Sequence, residues 1–258
     1  MNSLKSKLEY HYKKFDYSQI YPDPLIFPHR FKNELDIEIS AFVSSVFAYG
    51  NVKQIMNTLE KLHDLFGESP SEFVKSFSKI EHREIFKTFK HRFYTGDDTI
   101  ILFETLKNII ENYESIKKLF LLHYSQEDTN VKKSLSFFSQ NLKRISKSDS
   151  NKNRGVAFMF PDPLQGSACK RMNLFLRWMV RKDELDFGLW QEIRKDQLVI
   201  PVDTHVAKVS THLGLTKRKN VSWQMAEEIT ENLKQFDKND PVKYDFAICH
   251  LGMRKLKF

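Results

Sequence analysis

The chain is poor in the residues that would build a disulfide scaffold or a sheet. It has 2 Cys, Cys169 and Cys249, among 258 residues. That count excludes a four-cysteine zinc or iron–sulfur site within the chain and argues against a disulfide framework. Glycine is scarce at 8 residues, and β-branched alternation is rare. No apolar run approaches the roughly twenty residues needed to span a bilayer. The opening Met1-Asn-Ser-Leu-Lys-Ser-Lys7 has no apolar signal core, so a cytoplasmic protein without a membrane partner is expected.

What the chain does have is charge and aromatic bulk. Its net charge is +8 and it carries 22 Phe. A hydrophobic fraction of 41% supports a packed core rather than disorder. The basic balance points to an anionic partner, nucleic acid first, although a merely lysine-rich surface would read the same.

Apolar residues recur at helical spacing almost throughout, so the expected fold class is all-α. Helices are expected over 34–49, 52–66, 70–78, 84–92, 98–124, 130–145 and 168–181. The prolines of Tyr21-Pro-Asp-Pro-Leu-Ile-Phe-Pro28 predict an extended stretch. Ser146 to Gly155 is polar and basic. It reads either as a solvated linker or as a loop whose lysines reach phosphates.

Two short segments carry the chemistry. The first is Leu164-Gln-Gly-Ser-Ala-Cys-Lys-Arg-Met-Asn173, which opens the 168–181 helix. Lys170, Asn173, Arg177 and Arg181 fall on one narrow stripe of an otherwise apolar helix, so the stripe lines a cleft or touches solvent. Lys170 lies near the helix N-terminus, with Arg171 and Arg177 close in sequence. Macrodipole, neighbouring cations and desolvation would each favour a neutral, nucleophilic amine. The second is Ile200-Pro-Val-Asp-Thr-His205, where an apolar run ends at Asp203 and a helix closing at Gly214 begins. Asp203 fits an N-cap, and a rigid capping carboxylate also suits stabilising a cationic sugar or accepting a proton. Asp203 and His205 lack a third ligand at metal spacing, so no metal is expected. Near the C-terminus, Asp240-Pro241 predicts a helix start. Asp245 then sits in apolar company beside Cys249, either structurally paired or functional.

These segments resemble the helix-hairpin-helix superfamily of DNA glycosylases (HhH-GPD). Its hairpin reads Leu-Pro-Gly-Val-Gly-x-Lys-x-x-Asn, and Leu164, Gly166, Lys170 and Asn173 fall on it in register. Its Val-Asp-x-His segment is matched by Val202-Asp203-Thr204-His205. Asp203 lies 33 positions after Lys170 (203 − 170), a separation more like the archaeal-type 8-oxoguanine DNA glycosylase/AP lyase branch, here in an iron–sulfur-free bacterial form. Ala168 replaces the second hairpin glycine, which narrows any backbone anion nest there.

The resemblance implies a two-lobed all-α fold. A bundle over 34–185 would end in the hairpin, 1–33 plus 186–258 would form the second lobe, and the active site would lie in the cleft between them. It implies a bifunctional enzyme that excises 8-oxoguanine from double-stranded DNA through a lysine Schiff base and β-elimination. Lys170 and Asp203 would be catalytic. Asp245, Cys249, Asn173, Phe47, Tyr49 and Asn51 would contact the substrate, with Phe47 or Tyr49 near the base-displacing wedge. Gly166, Ser167, Arg171, Arg177, His205 and Lys208 would contact DNA. No cofactor is implied. The expected state is a monomer, cytoplasmic and nucleoid-associated. Two other readings stay open: a monofunctional alkylbase glycosylase using Asp203 and water, or a non-catalytic DNA-binding module.

Overall fold

The computed structural model describes residues 2–14, 16–148 and 153–253. It is 64% helix, so the all-α expectation holds. In chain order the helices are α1 Asn2–Lys14, α2 Glu34–Phe47, α3 Val52–Phe66, α4 Pro70–Ser76, α5 Lys79–Phe86, α6 Gly96–Tyr113, α7 Ile116–Leu121, α8 Lys132–Ile145, α9 Arg154–Met159, α10 Lys170–Val180, α11 Thr204–His212, α12 Trp223–Lys234 and α13 Asp245–Met253. Two two-residue strands, β1 Lys90–His91 and β2 Tyr94–Thr95, form the one hairpin among the described residues.

Three local expectations are corrected. The 84–92 helix ends at Phe86 and gives way to the β1–β2 hairpin. The 98–124 helix is broken into α6 and α7, because Glu114 takes a positive φ of 67° and Ser115 caps the new start. The proline-rich stretch folds into two 3-10 turns, Pro24–Ile26 and Pro28–Arg30, rather than an extended strap. Proline fixes φ near the 3-10 value as readily as near the extended one, and Asp23 caps the first of these turns. Of the polar stretch 146–155, residues 149–152 lie outside the described residues.

The chain divides into two compact units. One comprises residues 21–124 and 134–161. Its centre is α2, where every residue from Asp36 to Phe47 is buried. Two acids inside this apolar helix are accounted for by the helix starts they cap. Asp36 accepts from Ser71 N–H and the Ser69 hydroxyl at the start of α4, and Glu38 accepts from Ile116 and Lys117 N–H at the start of α7. Around them Phe66, Phe73, Phe77, Phe86 and Phe103 pack ring to ring.

Buried His63 of this unit pairs with the Ser40 hydroxyl (2.7 Å) and the Leu59 carbonyl (2.8 Å). Burial, with Arg30 assisting, pushes its pKa down to about 4. The neutral ring is thus the folded form. Its contribution is full above the ordinary 6.5 and is lost as pH falls through about 4. Urea unfolding followed by circular dichroism should show stability dropping by on the order of 3 kcal/mol from pH 7 to pH 4 on this account. His63→Gln should flatten that slope, and an unchanged slope would disprove the assignment.

The other unit comprises residues 1–20, 125–133 and 162–258. Here α11 packs on α13, and α1 packs on α13 and on the turn at 241–244. Buried Gln197 fastens the 125–133 segment to this unit. Its amide donates to the Ser125, Gln126 and Asp128 carbonyls, and its own carbonyl accepts from Val131 N–H. The division differs from the expected one. It falls after Pro161, so the hairpin and α10 share a unit with Asp203 and Asp245.

Candidate active site

The hairpin is built by three local devices. Asp162 caps the Pro163–Gln165 turn through Leu164 N–H. Gly166 then takes a left-handed φ of 86°, which glycine adopts without strain. Asn173, one turn into α10, donates its side-chain amide to the Ala168 carbonyl at 3.1 Å. Asn173 is therefore a buried fastener of the hairpin, which corrects its expected place against substrate. Ser167 is engaged locally, its hydroxyl accepting from Cys169 N–H. Leu164, Gln165 and Gly166 form the exposed tip.

Lys170 and Asp203 do meet, and they meet within one unit. Lys170 is the first residue of α10, and its Nζ lies 3.8 Å from Asp203 Oδ2, with the two side chains 28% and 29% exposed. The Asp203 carboxylate is divided between two tasks. Oδ1 caps α11, accepting from His205 N–H at 2.9 Å and Val206 N–H at 3.0 Å, which leaves Oδ2 facing the lysine. The cap and the chemical reading of Asp203 are thus compatible in one geometry. A pre-oriented carboxylate beside an amine can take up or return a proton and can stabilise a developing cation. His205 and Lys208 are exposed on the first turns of α11.

The two arginines of the stripe on α10 are almost wholly buried and stand at the wall of a cavity away from Lys170. Arg177 and Arg181 are 3% and 2% exposed and meet four aspartates. Arg177 binds Asp186 (3.2 Å) and Asp245 (2.5 Å), while Arg181 binds Asp183, Asp186 and Asp240. The expected phosphate contact by Arg177 is therefore corrected: its guanidinium is consumed internally. Arg171 is also buried, at 6%, so it too is withdrawn from the surface. Asp240 spends its carboxylate on Arg181 and makes no side-chain cap to the Pro241–Tyr244 turn.

Asp245 is buried rather than open to a guanine edge, and its Oδ2 accepts from Arg177. Its Oδ1 has no hydrogen-bond partner among the described residues. Burial pushes its pKa up to about 6 against the pull of Arg177, with Lys170 lowering it and Asp203 raising it. The buried network is thus in electrostatic contact with the Lys170–Asp203 pair. Cys249 is half-buried one turn further along α13. A cavity of about 310 Å³ in this unit is lined by Tyr12, Arg177, Arg181, Asp186 and Phe246, and neither Lys170 nor Asp203 lines it.

In the other unit, Phe47 is fully buried against Phe89, His91 and Tyr94, so it is a core residue and not a wedge. Tyr49 is half-buried, donating to the His91 carbonyl at 2.7 Å. Asn51 is exposed and caps α3 through Lys53 N–H. No group of His, Cys, Asp and Glu suited to a metal ion is found among the described residues. None of their helices is long and apolar enough to cross a membrane. Sequence reasoning missed the arginine–aspartate network, though Arg177 and Arg181 at one-turn spacing and the nearby Asp183 and Asp186 were its visible signal.

Fold and site together define an all-α protein with a partly exposed lysine–aspartate pair set at two helix starts. By sequence, the chain belongs to the family described as "Protein of unknown function (DUF2400)", whose profile matches residues 23–254. Searches of curated proteins and of solved structures gave no match.

Proposed function

We propose that the protein is a bifunctional DNA glycosylase/AP lyase acting on oxidised guanine, 8-oxoguanine, in double-stranded DNA, with the two-lobed helix-hairpin-helix glycosylase architecture. The observation that carries this reading is the 3.8 Å approach of Lys170 Nζ to the Asp203 carboxylate, both partly exposed. Asp203 accepts a proton from Lys170, and the free amine attacks C1′ of a nucleotide turned out of the duplex. The C1′–N glycosidic bond breaks, and the base leaves with its bonding pair and gains a proton. Opening of the sugar ring gives a Schiff base at C1′. Loss of the C2′ proton to a nearby base then expels the 3′ phosphate by β-elimination, and hydrolysis returns the amine. Asp203 passes the proton taken from Lys170 to the departing base and, ionised again, stabilises the cationic Schiff base.

Exposed His205 and Lys208 on α11 and the Gly166 tip are the groups of this unit offered to DNA phosphates. A cytoplasmic monomer associated with the nucleoid is part of the same proposal.

The test is borohydride trapping with duplexes carrying 8-oxoguanine or an abasic site. A covalent protein–DNA complex on both is expected. Base release without trapping would replace this reading with the monofunctional glycosylase. Binding without either would leave a non-catalytic module.

A further inference from the structure

The β1–β2 hairpin presents an aromatic cluster that the Lys170 site does not use. His91 and Tyr94 pair across the hairpin and point into the core, leaving Arg92 and Phe93 as its two-residue tip. Phe93 is 65% exposed and lies parallel to Tyr49, with centroids 6.2 Å apart and planes at 10°. Phe158, itself 39% exposed, closes the cluster edge-on to both rings, at 4.9 Å from Tyr49 and 5.7 Å from Phe93.

The Arg92 guanidinium sits over Tyr49 and Phe93, at 5.8 and 5.4 Å. It forms no salt bridge among the described residues. Its position is built in. Arg92 holds a left-handed φ of 52°, and its side chain crosses Gly50 so closely that a Cβ there would lie 2.5 Å from Arg92 Cδ. Beneath the tip, His91 is clamped by the Thr58 hydroxyl at 2.8 Å and the Tyr49 carbonyl at 3.2 Å. A rigid support thus holds an aromatic face and a guanidinium out to solvent. Lys53 and Lys90 are exposed close by in sequence.

We propose that this tip is a stacking site for unpaired nucleobases of a single-stranded nucleic acid, with Phe93 as the platform and Arg92, Lys53 and Lys90 meeting the flanking phosphates. Stacking on aromatic faces beside a cationic track is how sequence-tolerant single-strand binding is achieved. The net charge of +8 complements such a ligand. An apolar protein partner would have to bury a guanidinium that has no ion pair among the described residues. The site lies in the unit that lacks Lys170 and does not depend on the lyase chemistry.

The experiment exploits the three tryptophans. Trp178, Trp190 and Trp223 are all buried, so in Phe93→Trp the new indole is the exposed reporter. Its emission should be quenched by oligothymidylate and left unchanged by inorganic polyphosphate. Phe93→Ala should weaken oligothymidylate binding about tenfold and leave polyphosphate binding alone. Equal oligothymidylate affinity in Phe93→Ala would overturn the proposal, as would equal losses for both polymers. Failure of borohydride trapping would leave it standing.

Discussion

Arg177→Ala is expected to destabilise the unit that holds α10 by about 3–5 kcal/mol, the cost of leaving buried carboxylates without their counterion. The network holds two guanidiniums, Arg177 and Arg181, against four carboxylates, Asp183, Asp186, Asp240 and Asp245. It is already short of positive charge. Burial raises the pKa of Asp186, and that of Asp245 to about 6, even with both arginines in place. A raised carboxyl pKa contributes stability that is complete below the ordinary 3.8 and lost as pH rises through about 6. Without Arg177 the same carboxyls hold their protons more tightly still. The loss in Arg177→Ala should therefore be smaller at pH 5, where they can be neutral, than at pH 8, where they must ionise or unfold. Asp245→Asn, which keeps the volume and removes one excess charge, should cost much less. Urea unfolding followed by tryptophan fluorescence reads this unit, because it contains Trp178, Trp190 and Trp223. A variant within about 1 kcal/mol of the parent at both pH values would disprove the role given to Arg177.

The contrast between the two units explains what the sequence made visible. Helices α2, α3 and α10 and the cap at Asp203 were legible because their signals are local: apolar spacing, a capping side chain, a glycine stop. The break at Glu114 was not, because the local cap at Ser115 is a single polar residue inside continuous apolar spacing, and the start is also held from far away by Glu38. The β1–β2 hairpin was hidden for a related reason. Ile85, Phe86 and Phe89 keep helical spacing, and the turn relies on Arg92 in a left-handed conformation where Asn or Gly would have announced it. The same blindness affected the stripe on α10. Periodicity placed Lys170, Asn173, Arg177 and Arg181 on one face, but only tertiary structure shows that its first residue reaches an aspartate near the surface while the last two are locked to four others at the wall of a separate cavity. What α10 presents for chemistry thus narrows from four polar residues to one lysine.

That narrowing sets up the sharpest expected result. Lys170→Ala should abolish borohydride trapping on both abasic and 8-oxoguanine duplexes, because among the described residues Lys170 is the amine that meets the Asp203 carboxylate. Asp203→Asn should behave differently. Asparagine is as good an N-cap as aspartate, and its side-chain oxygen can keep the bonds to His205 and Val206 N–H, so α11 should remain formed. What is lost is the charge facing Lys170 and the proton acceptor. Base excision should slow by about 10²–10⁴-fold, the usual worth of a positioned acid–base group, while a preformed abasic site, which needs the free amine but no glycosidic bond broken, should be trapped with a smaller loss. Asp203→Ala should add a loss of about 1 kcal/mol in stability from the missing cap. Single-turnover excision and trapping on the two duplexes, with circular dichroism to check folding, separate these roles. Trapping at the parent level in folded Lys170→Ala would remove the lysine from the chemistry. Equal loss on both substrates in Asp203→Asn would make the aspartate a support for the lysine rather than a participant in base release.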